Sequence, residues 1–272
     1  MSLSDLDLPN DRMLVMGILN ITPDSFADGG RYEKTERAIE HGLAMMAQGA
    51  DIIDIGGEST RPGAERTSLQ EELGRVLPVI EALSQAGAII SIYTMRAHTA
   101  EKAVHAGAKI VNDVSAGLSD NEMFHVVADL GCPYIAMHSR GVSKDMQART
   151  MYRDVLKEVS SELSVQVDAA LAAGISVENV ILDPGIGFAK ESEHNWVLLN
   201  NVEKLSALGF PLLIGASRKR FLGALVGAAT TDDRESATIA LTSLLARRGV
   251  WGVRVHSVKP HCDAIAVAGM FQ

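Results

Sequence analysis

MLVMGILNITPDSFADGG, residues 13–30, opens with the apolar run from which the rest of the chain is read. Leu14 to Leu19 are apolar at five of six positions, interrupted only by Gly17. That is the composition of a strand buried on both faces, as parallel strands covered by helices are. The chemistry then changes abruptly. Asn20, Thr22, Pro23, Asp24, Ser25, Asp28, Gly29 and Gly30 cannot continue a strand and are too many for a tight turn. A long polar loop leaving a buried strand reads as a binding loop or as an ordinary solvated connection, and the endings of the other strands decide between the two.

Working outward, the next apolar run is Asp51 to Ile55, reached through a helical stretch over 34–48 in which Ala38, Ile39, Leu43, Met46 and Ala47 recur near helical spacing. The unit repeats. Further strands are predicted at 88–92, 109–114, 133–137, 179–182, 211–214 and 251–255, with helices near 69–84, 97–105, 121–129, 151–173, 194–207 and 233–248. Strand starts at 14, 51, 88, 109, 133, 179, 211 and 251 give a mean spacing of about 34 residues, the length of a βα unit. Gly49, Gly87, Gly107, Gly131, Gly174, Gly209 and Gly249 each follow a helix and precede a strand, where helix-terminating glycines belong. Eight such units predict an α/β fold of the (β/α)8 TIM barrel type. We read residues 13–272 as a single barrel domain, Val258 to Met270 as its closing helix and residues 1–12 as an N-terminal extension. A doubly wound sheet is the other possibility, but no GxGxxG follows a strand and no GxxxxGK[ST] occurs.

Composition narrows the function classes. Of 272 residues, 47% are hydrophobic and only 4% aromatic, so Ala, Val, Ile and Leu must fill the core, which favours α/β over a sandwich. The formal net charge of −9 argues against a nucleic-acid or anionic-membrane surface, and any anionic ligand must be held by local basic groups. Cys132 and Cys262 show no metal-binding spacing or disulfide framework. With an acidic N-terminus and no run of about 18 apolar residues, the expectation is a cytoplasmic protein that neither crosses a membrane nor is exported through a signal peptide.

In a barrel the active site lies at the C-terminal ends of the strands, and nearly all the endings are polar. They are Asn20; Asp54 with Glu58, Ser59, Thr60 and Arg61; Tyr93 and Thr94; Asn112 and Asp113; His138; Asp183; Ser217, Arg218 and Lys219; and Arg254 with His256. One polar residue at a strand end ordinarily caps a helix; eight together describe a site. Arg61, Lys219, Arg254 and His256 would converge on one mouth of an otherwise anionic protein, and arginine forks suit phosphate oxygens, so a phosphorylated substrate is predicted. Asp183 and Asn112 suit a neutral heterocycle offering N–H donors. The DPGIGF segment, 183–188, supplies glycines for close backbone approach and Phe188 as a flat apolar wall. His138 and Arg140 at the fifth strand read more naturally as hydrogen-bonded structural residues than as ligand contacts.

GILNITPDSFADGG, DIGGESTRPGAE, IVNDVSAG, ILDPGIGFAK, GASRKRFLG and GVRVH, in this order and over nearly the whole chain, resemble the dihydropteroate synthase family. The resemblance implies a pterin-binding (β/α)8 barrel that joins 6-hydroxymethyl-7,8-dihydropterin pyrophosphate to p-aminobenzoate and releases pyrophosphate in folate synthesis. It also implies magnesium (Mg2+) with the pyrophosphate and inhibition by sulfonamides. Asn112, Asp183 and Lys219 match the pterin-pocket positions; Asn20, Arg254 and His256 match the pyrophosphate and magnesium positions, with Asn20 as the metal contact. Thr60, Arg61 and Pro62, with Phe188 and Lys219, match the p-aminobenzoate site, and the first loop, 20–32, would close over the pterin as a lid. Tyr93 and Gly215 complete the implied substrate contacts, and Lys219, Asp183, Arg254 and His256 are the implied catalytic residues. In the family the pterin methylene carbon is thought to ionise and pyrophosphate to leave before the arylamine attacks. A neutral aniline nitrogen is already nucleophilic, so no base is required.

Three positions depart from the family pattern. Its third-strand motif reads S-[VI]-D-T, whereas here it is Ser91, Ile92, Tyr93, Thr94, so that a tyrosine stands where the pterin-contacting aspartate is expected. Ser257 replaces the usual Asp after Arg-x-His, and Arg220 follows the lysine where many relatives have Ser. Two readings follow: a dihydropteroate synthase with weakened or altered pterin contacts, or a non-catalytic paralogue that binds a pterin or phosphate ligand without turnover. A pterin-dependent methyltransferase on the same fold is disfavoured, since a methyl donor offers no pyrophosphate to hold. Leu241, Leu244 and Leu245 on the last long helix fit either a homodimer interface, as family members are often dimeric through late helices, or a barrel-covering stripe.

Overall fold

Successive side chains of a strand point to opposite faces, and over most of each strand here both faces are buried. One face can then be covered by helices while the other closes on itself. The computed structural model describes residues 1–22, 31–59, 66–141 and 149–271, with 31–32 as backbone only, and it shows that closure. The strands are β1 (Leu14–Asn20), β2 (Ile52–Gly56), β3 (Ile90–Tyr93), β4 (Ile110–Asp113), β5 (Tyr134–Met137), β6 (Val180–Asp183), β7 (Leu213–Ile214) and β8 (Gly252–Val255). They are parallel in the order β6-β5-β4-β3-β2-β1-β8-β7. A Leu182–Leu212 bridge joins β6 to the approach of β7, where the Leu182 N–H donates to the Pro211 carbonyl at 2.9 Å. The (β/α)8 barrel expected from the sequence is the fold observed.

The covering helices are α1 (Arg31–Ala47), α2 (Leu69–Gln85), α3 (Ala97–His105), α4 (Met123–Leu130), α5 (Val155–Ala172), α6 (Ser192–Asn200), α7 (Val202–Ser206), α8 (Arg220–Val226), α9 (Glu235–Ala246) and α10 (Val258–Gly269). All seven helix-terminating glycines have positive φ, between 59° and 122°. The stretch read as one helix over 194–207 is two, because Asn201 leaves helical geometry (φ −124°, ψ 33°) while its amide donates to the Val197 carbonyl at 2.8 Å. The seven-residue α8 was not anticipated; it is too short for a hydrophobic period to register. Of the three leucines on α9, Leu241 and Leu245 are buried against the barrel and Leu244 is 63% exposed. Among the described residues, no helix is long and apolar enough to cross a membrane.

The barrel interior is layered. At its floor Leu14, Met16, Ile52, Ile110, Ile135, Ile181 and Leu213 pack together with Leu6 from the first residues, which are fastened by Met1 N to the Gly131 carbonyl and Leu3 N–H to Asn179 Oδ1, both 2.9 Å. Two positions further along the same inward faces the residues turn polar: Ile52 gives way to Asp54, Ile110 to Asn112, Ile181 to Asp183 and Gly252 to Arg254. Asp54, with no exposed surface, is the hub of that layer. Arg254 Nε donates to its Oδ2 at 2.6 Å, and Asn112 Nδ2 lies 3.3 Å from both carboxylate oxygens. The Tyr93 ring completes the layer with its centroid 4.5 Å from the Arg254 guanidinium carbon.

Removing one member of a buried ion pair strands the other charge, whereas replacing both by apolar groups is often tolerated. Asp54→Ala is therefore expected to lower unfolding free energy by about 3 kcal/mol, and Asp54→Ala with Arg254→Met to recover much of that loss. Urea denaturation of the two variants checks this, and a single-variant loss below about 1 kcal/mol would contradict it.

Candidate active site

Above the polar layer opens a cleft of about 890 Å³, lined among others by Asn20, Tyr93, Phe188, Lys190, Ser217, Lys219, Arg254 and His256. Asn112 and Asp183 are buried beneath it. The Asn112 amide nitrogen is already given to Asp54, which leaves its carbonyl oxygen as acceptor. Asp183 Oδ1 accepts the Gly185 N–H at 2.7 Å. Burial pushes its pKa up from the ordinary carboxylate value, opposed by Lys219, by that N–H and by Arg254. The other oxygen faces Gly215, where a Cβ would stand in ordinary contact 3.5 Å away.

The turn after β6 is shaped by lysines. The Lys219 ammonium donates to the Ile186 carbonyl and sits 4.4 Å from the Phe188 ring centroid, so the aromatic wall and the cation form one surface. Burial lowers the Lys219 pKa to about 7, with Asp183 pulling it up and Arg254 adding to the fall. Gly185 (φ 67°) is required here on two counts: a Cβ would meet the His138 carbonyl oxygen at 1.9 Å, and the backbone is left-handed.

On the opposite rim, His256 N–H donates to Ser217 Oγ at 3.2 Å, and the same hydroxyl lies 2.9 Å from His256 Nδ1. The two contacts to one hydroxyl hold the imidazole in place at the rim of the cleft. Arg218, by contrast, is committed elsewhere: its guanidinium pairs with Glu235 and with Asp232 (2.7 Å) and donates to Ser257 Oγ (2.8 Å). Ser257 thus keeps a hydrogen-bond acceptor at the position where the family pattern has Asp. Arg220 is exposed at the cleft edge.

Thr60, Arg61 and Pro62 lie outside the described residues, as do residues 23–30 of the expected lid. The flanks of the 60–65 segment are described and firmly tied. Arg96 pairs with Glu58 at 2.6 Å and with Glu72 and the Thr67 carbonyl. Arg75 donates to the Gly57 carbonyl at 2.8 Å, and Thr94 and Thr99 donate to Glu72 at 2.7 and 3.1 Å. In the sequence Asp54 and Glu58 stand among the strand endings without partners, and nothing local singles out Arg96, Glu72 or Lys190. A lone acid inside the apolar IIDIG run was the available signal for Asp54. His138 is structural, as expected: buried, with Nε2 2.9 Å from Glu162 and Nδ1 2.8 Å from Lys190.

No group of three or more His, Cys, Asp or Glu able to hold a metal occurs among the described residues. Asn20, at the end of β1 on the cleft wall, offers a single neutral oxygen beside cationic side chains. This donor set fits magnesium brought in with a pyrophosphate, because that ion keeps few protein ligands and takes the rest from substrate phosphates and water.

A family model described as pterin binding enzyme matches residues 16–256. The dihydropteroate synthase of Mycobacterium leprae (strain TN) is 49% identical over 261 residues, covering 94% of this chain and 92% of that protein. The dihydropteroate synthase of Xanthomonas albilineans solved with 4-aminobenzoic acid superposes with a TM-score of 0.89 at 43% identity, over 94% of this chain and 92% of that one. The Yersinia pestis dihydropteroate synthase solved with a sulfonamide drug complex gives a TM-score of 0.91 at 38% identity, over 98% and 97% of the two chains. Sequence, barrel and the acceptor-lined cleft with its cationic rim agree: the chain belongs to the dihydropteroate synthase family of pterin-binding enzymes.

Proposed function

We propose that the protein is a transferase of folate biosynthesis that condenses 6-hydroxymethyl-7,8-dihydropterin pyrophosphate with p-aminobenzoate, giving 7,8-dihydropteroate and pyrophosphate. The observation that carries this is the division of the cleft, with buried acceptors at the floor and cations at the rim. Asp183 and the Asn112 carbonyl accept the ring N–H and amino donors of the pterin. Arg254, Lys219 and His256 take the pyrophosphate oxygens. As the C–O bond to the pterin methylene breaks, its electron pair leaves with the pyrophosphate, whose growing charge these fixed donors stabilise without reorganising. The arylamine nitrogen then forms the C–N bond and loses its proton. Phe188 and Lys219 wall the arylamine side. Asn20 would hold a magnesium ion, which would supply further neutralisation of the leaving group.

Tyr93 alters the pterin face. At neutral pH a phenol carries no charge, so the position expected to hold an acid near the developing cation offers a ring instead. That ring is already engaged with Arg254. We read it as weakening pterin contacts and slowing turnover without abolishing it. Sulfonamides are expected to inhibit by taking the p-aminobenzoate place. A homodimer through the late helices is supported by exposed Leu244 on α9 and Val267 on neighbouring α10, and a cytoplasmic location by two free cysteines, one of them buried. Sedimentation velocity at micromolar protein checks the dimer, and a monomer at that concentration contradicts it.

Pyrophosphate release from the two substrates is the direct test, and undetectable turnover at high enzyme concentration would favour the non-catalytic reading. Tyr93→Asp is expected to raise kcat by about ten- to a hundredfold, the worth of a restored counter-charge less the lost ring contact; an unchanged kcat contradicts the role given to this residue. With its pKa lowered to about 7, Lys219 is charged below that pH and neutral above it. In the free enzyme, kcat/KM for the anionic pterin substrate should therefore fall as pH rises through about 7, and Lys219→Arg should move that limb to higher pH.

A further inference from the structure

Lys190 is only 5% exposed and has no part in the chemistry derived above. Its ammonium donates to the Gly185 carbonyl at 3.1 Å and to the Phe188 carbonyl at 3.0 Å, and it lies 2.8 Å from His138 Nδ1. Ala189 makes that reach available. It is one of three described non-glycine residues with positive φ (49°), and its left-handed backbone directs the chain back so that the lysine reaches the carbonyl two residues earlier. Glu162, at 2.9 Å from His138 Nε2, is in turn gripped by Arg140, and the chain of contacts runs from the cleft through the barrel wall to α5.

The hydrogen-bond inventory leaves little freedom. A carboxylate only accepts, so His138 Nε2 carries a hydrogen and donates to Glu162. With one proton on neutral imidazole, Nδ1 presents a lone pair, and Lys190 supplies three donors to three acceptors: Nδ1 and the two carbonyls. Moving the proton from lysine to Nδ1 keeps every contact satisfied, since the neutral amine then accepts from imidazolium and still donates twice. The Phe188 N–H closes the turn onto the Gly185 carbonyl at 3.0 Å, and the Gly185 N–H holds Asp183.

We infer that Lys190 is a positioning residue for the arylamine subsite: by clamping the Gly185 and Phe188 carbonyls against His138 it sets the Phe188 ring in the plane that, with Lys219, receives the aromatic amine. This rests on the synthase reading above. A side chain that only stabilised the fold would lower the melting temperature and leave the two substrates equally well bound. Lys190 holds the Phe188 carbonyl directly and reaches Asp183 only through the Gly185 turn, so its loss falls mainly on the arylamine.

Lys190→Met keeps the length and volume of the side chain and removes the three donors. The expected result is a KM for p-aminobenzoate about tenfold higher, as a displaced positioning group produces, with the KM for the pterin pyrophosphate within twofold of wild type. A crystal structure of the variant should show the Phe188 ring displaced by about an ångström or more relative to the wild-type protein. Two KM values both within twofold of wild type, both rising together, or a Phe188 ring that has not moved, would each overturn the proposal. If Lys190→Met does not fold, His138→Phe, which removes both the acceptor facing Lys190 and the donor facing Glu162, is expected to give the same split at smaller size; no split there overturns it. Failure of the synthase reading shows separately, as a wild-type enzyme without turnover, and the Phe188 position then decides the clamp on its own.

Discussion

A carboxylate sealed inside a barrel has to be neutralised where it stands, and Asp54 imposes that condition on the strands around it. In the sheet order β2 is separated from β8 by β1 and from β4 by β3. Asp54 draws Arg254 from one of these strands and Asn112 from the other, so the polar layer is braced across the barrel. Much of what lies above follows from that bracing. Arg254 is fixed under the rim with its Nε spoken for, Asn112 is fixed with its amide nitrogen inward, and Tyr93 lies against the guanidinium that Asp54 has positioned. The apolar floor below, sealed from the N-terminal side by Leu6, keeps water from competing for these contacts.

The fold was legible because two independent periodicities agreed. Buried runs recurred at the βα spacing, and the glycines between helix and strand have the positive φ that a helix stop requires. Strand limits read from the sequence fall within two residues of those observed, with the widest gaps at the starts of β3 and β7. Hydrophobic period misleads where local side-chain chemistry overrides it, at Asn201, and where the element is a mere seven residues, at α8. Polar strand endings pointed to one mouth of the barrel, and Asn20, Tyr93, Phe188, Lys219, Arg254 and His256 line one cleft there, with Asn112 and Asp183 buried.

Pairings across long sequence separations were beyond reach of a linear reading. Asp54 and Arg254 are 200 positions apart, and Arg96 meets Glu58 and Glu72 from 38 and 24 positions away. Nothing local distinguishes such an arginine from a solvated one. The same holds for Arg218, whose place in the SRK run suggests a phosphate contact although Glu235, Asp232 and Ser257 already occupy its fork. Charge identity was readable in the sequence; charge availability depended on the fold.

That distinction explains how a protein of net charge −9 can present a cationic cleft. Arginines that brace the scaffold, Arg96, Arg140 and Arg218, are closed off by carboxylates. At the cleft the lysines face backbone carbonyls instead: Lys219 at Ile186, Lys190 at Gly185 and Phe188. A carbonyl orients an ammonium without cancelling its charge. Lys219 is thereby oriented and still cationic below about pH 7, when an anionic substrate arrives, and the turn that carries Phe188 is gripped from both sides before any ligand binds. Electrostatic stabilisation of a leaving pyrophosphate depends on donors that need not rearrange, and on this chain the backbone of one turn does for Lys219 what Asp54 does for Arg254 and Ser217 for His256.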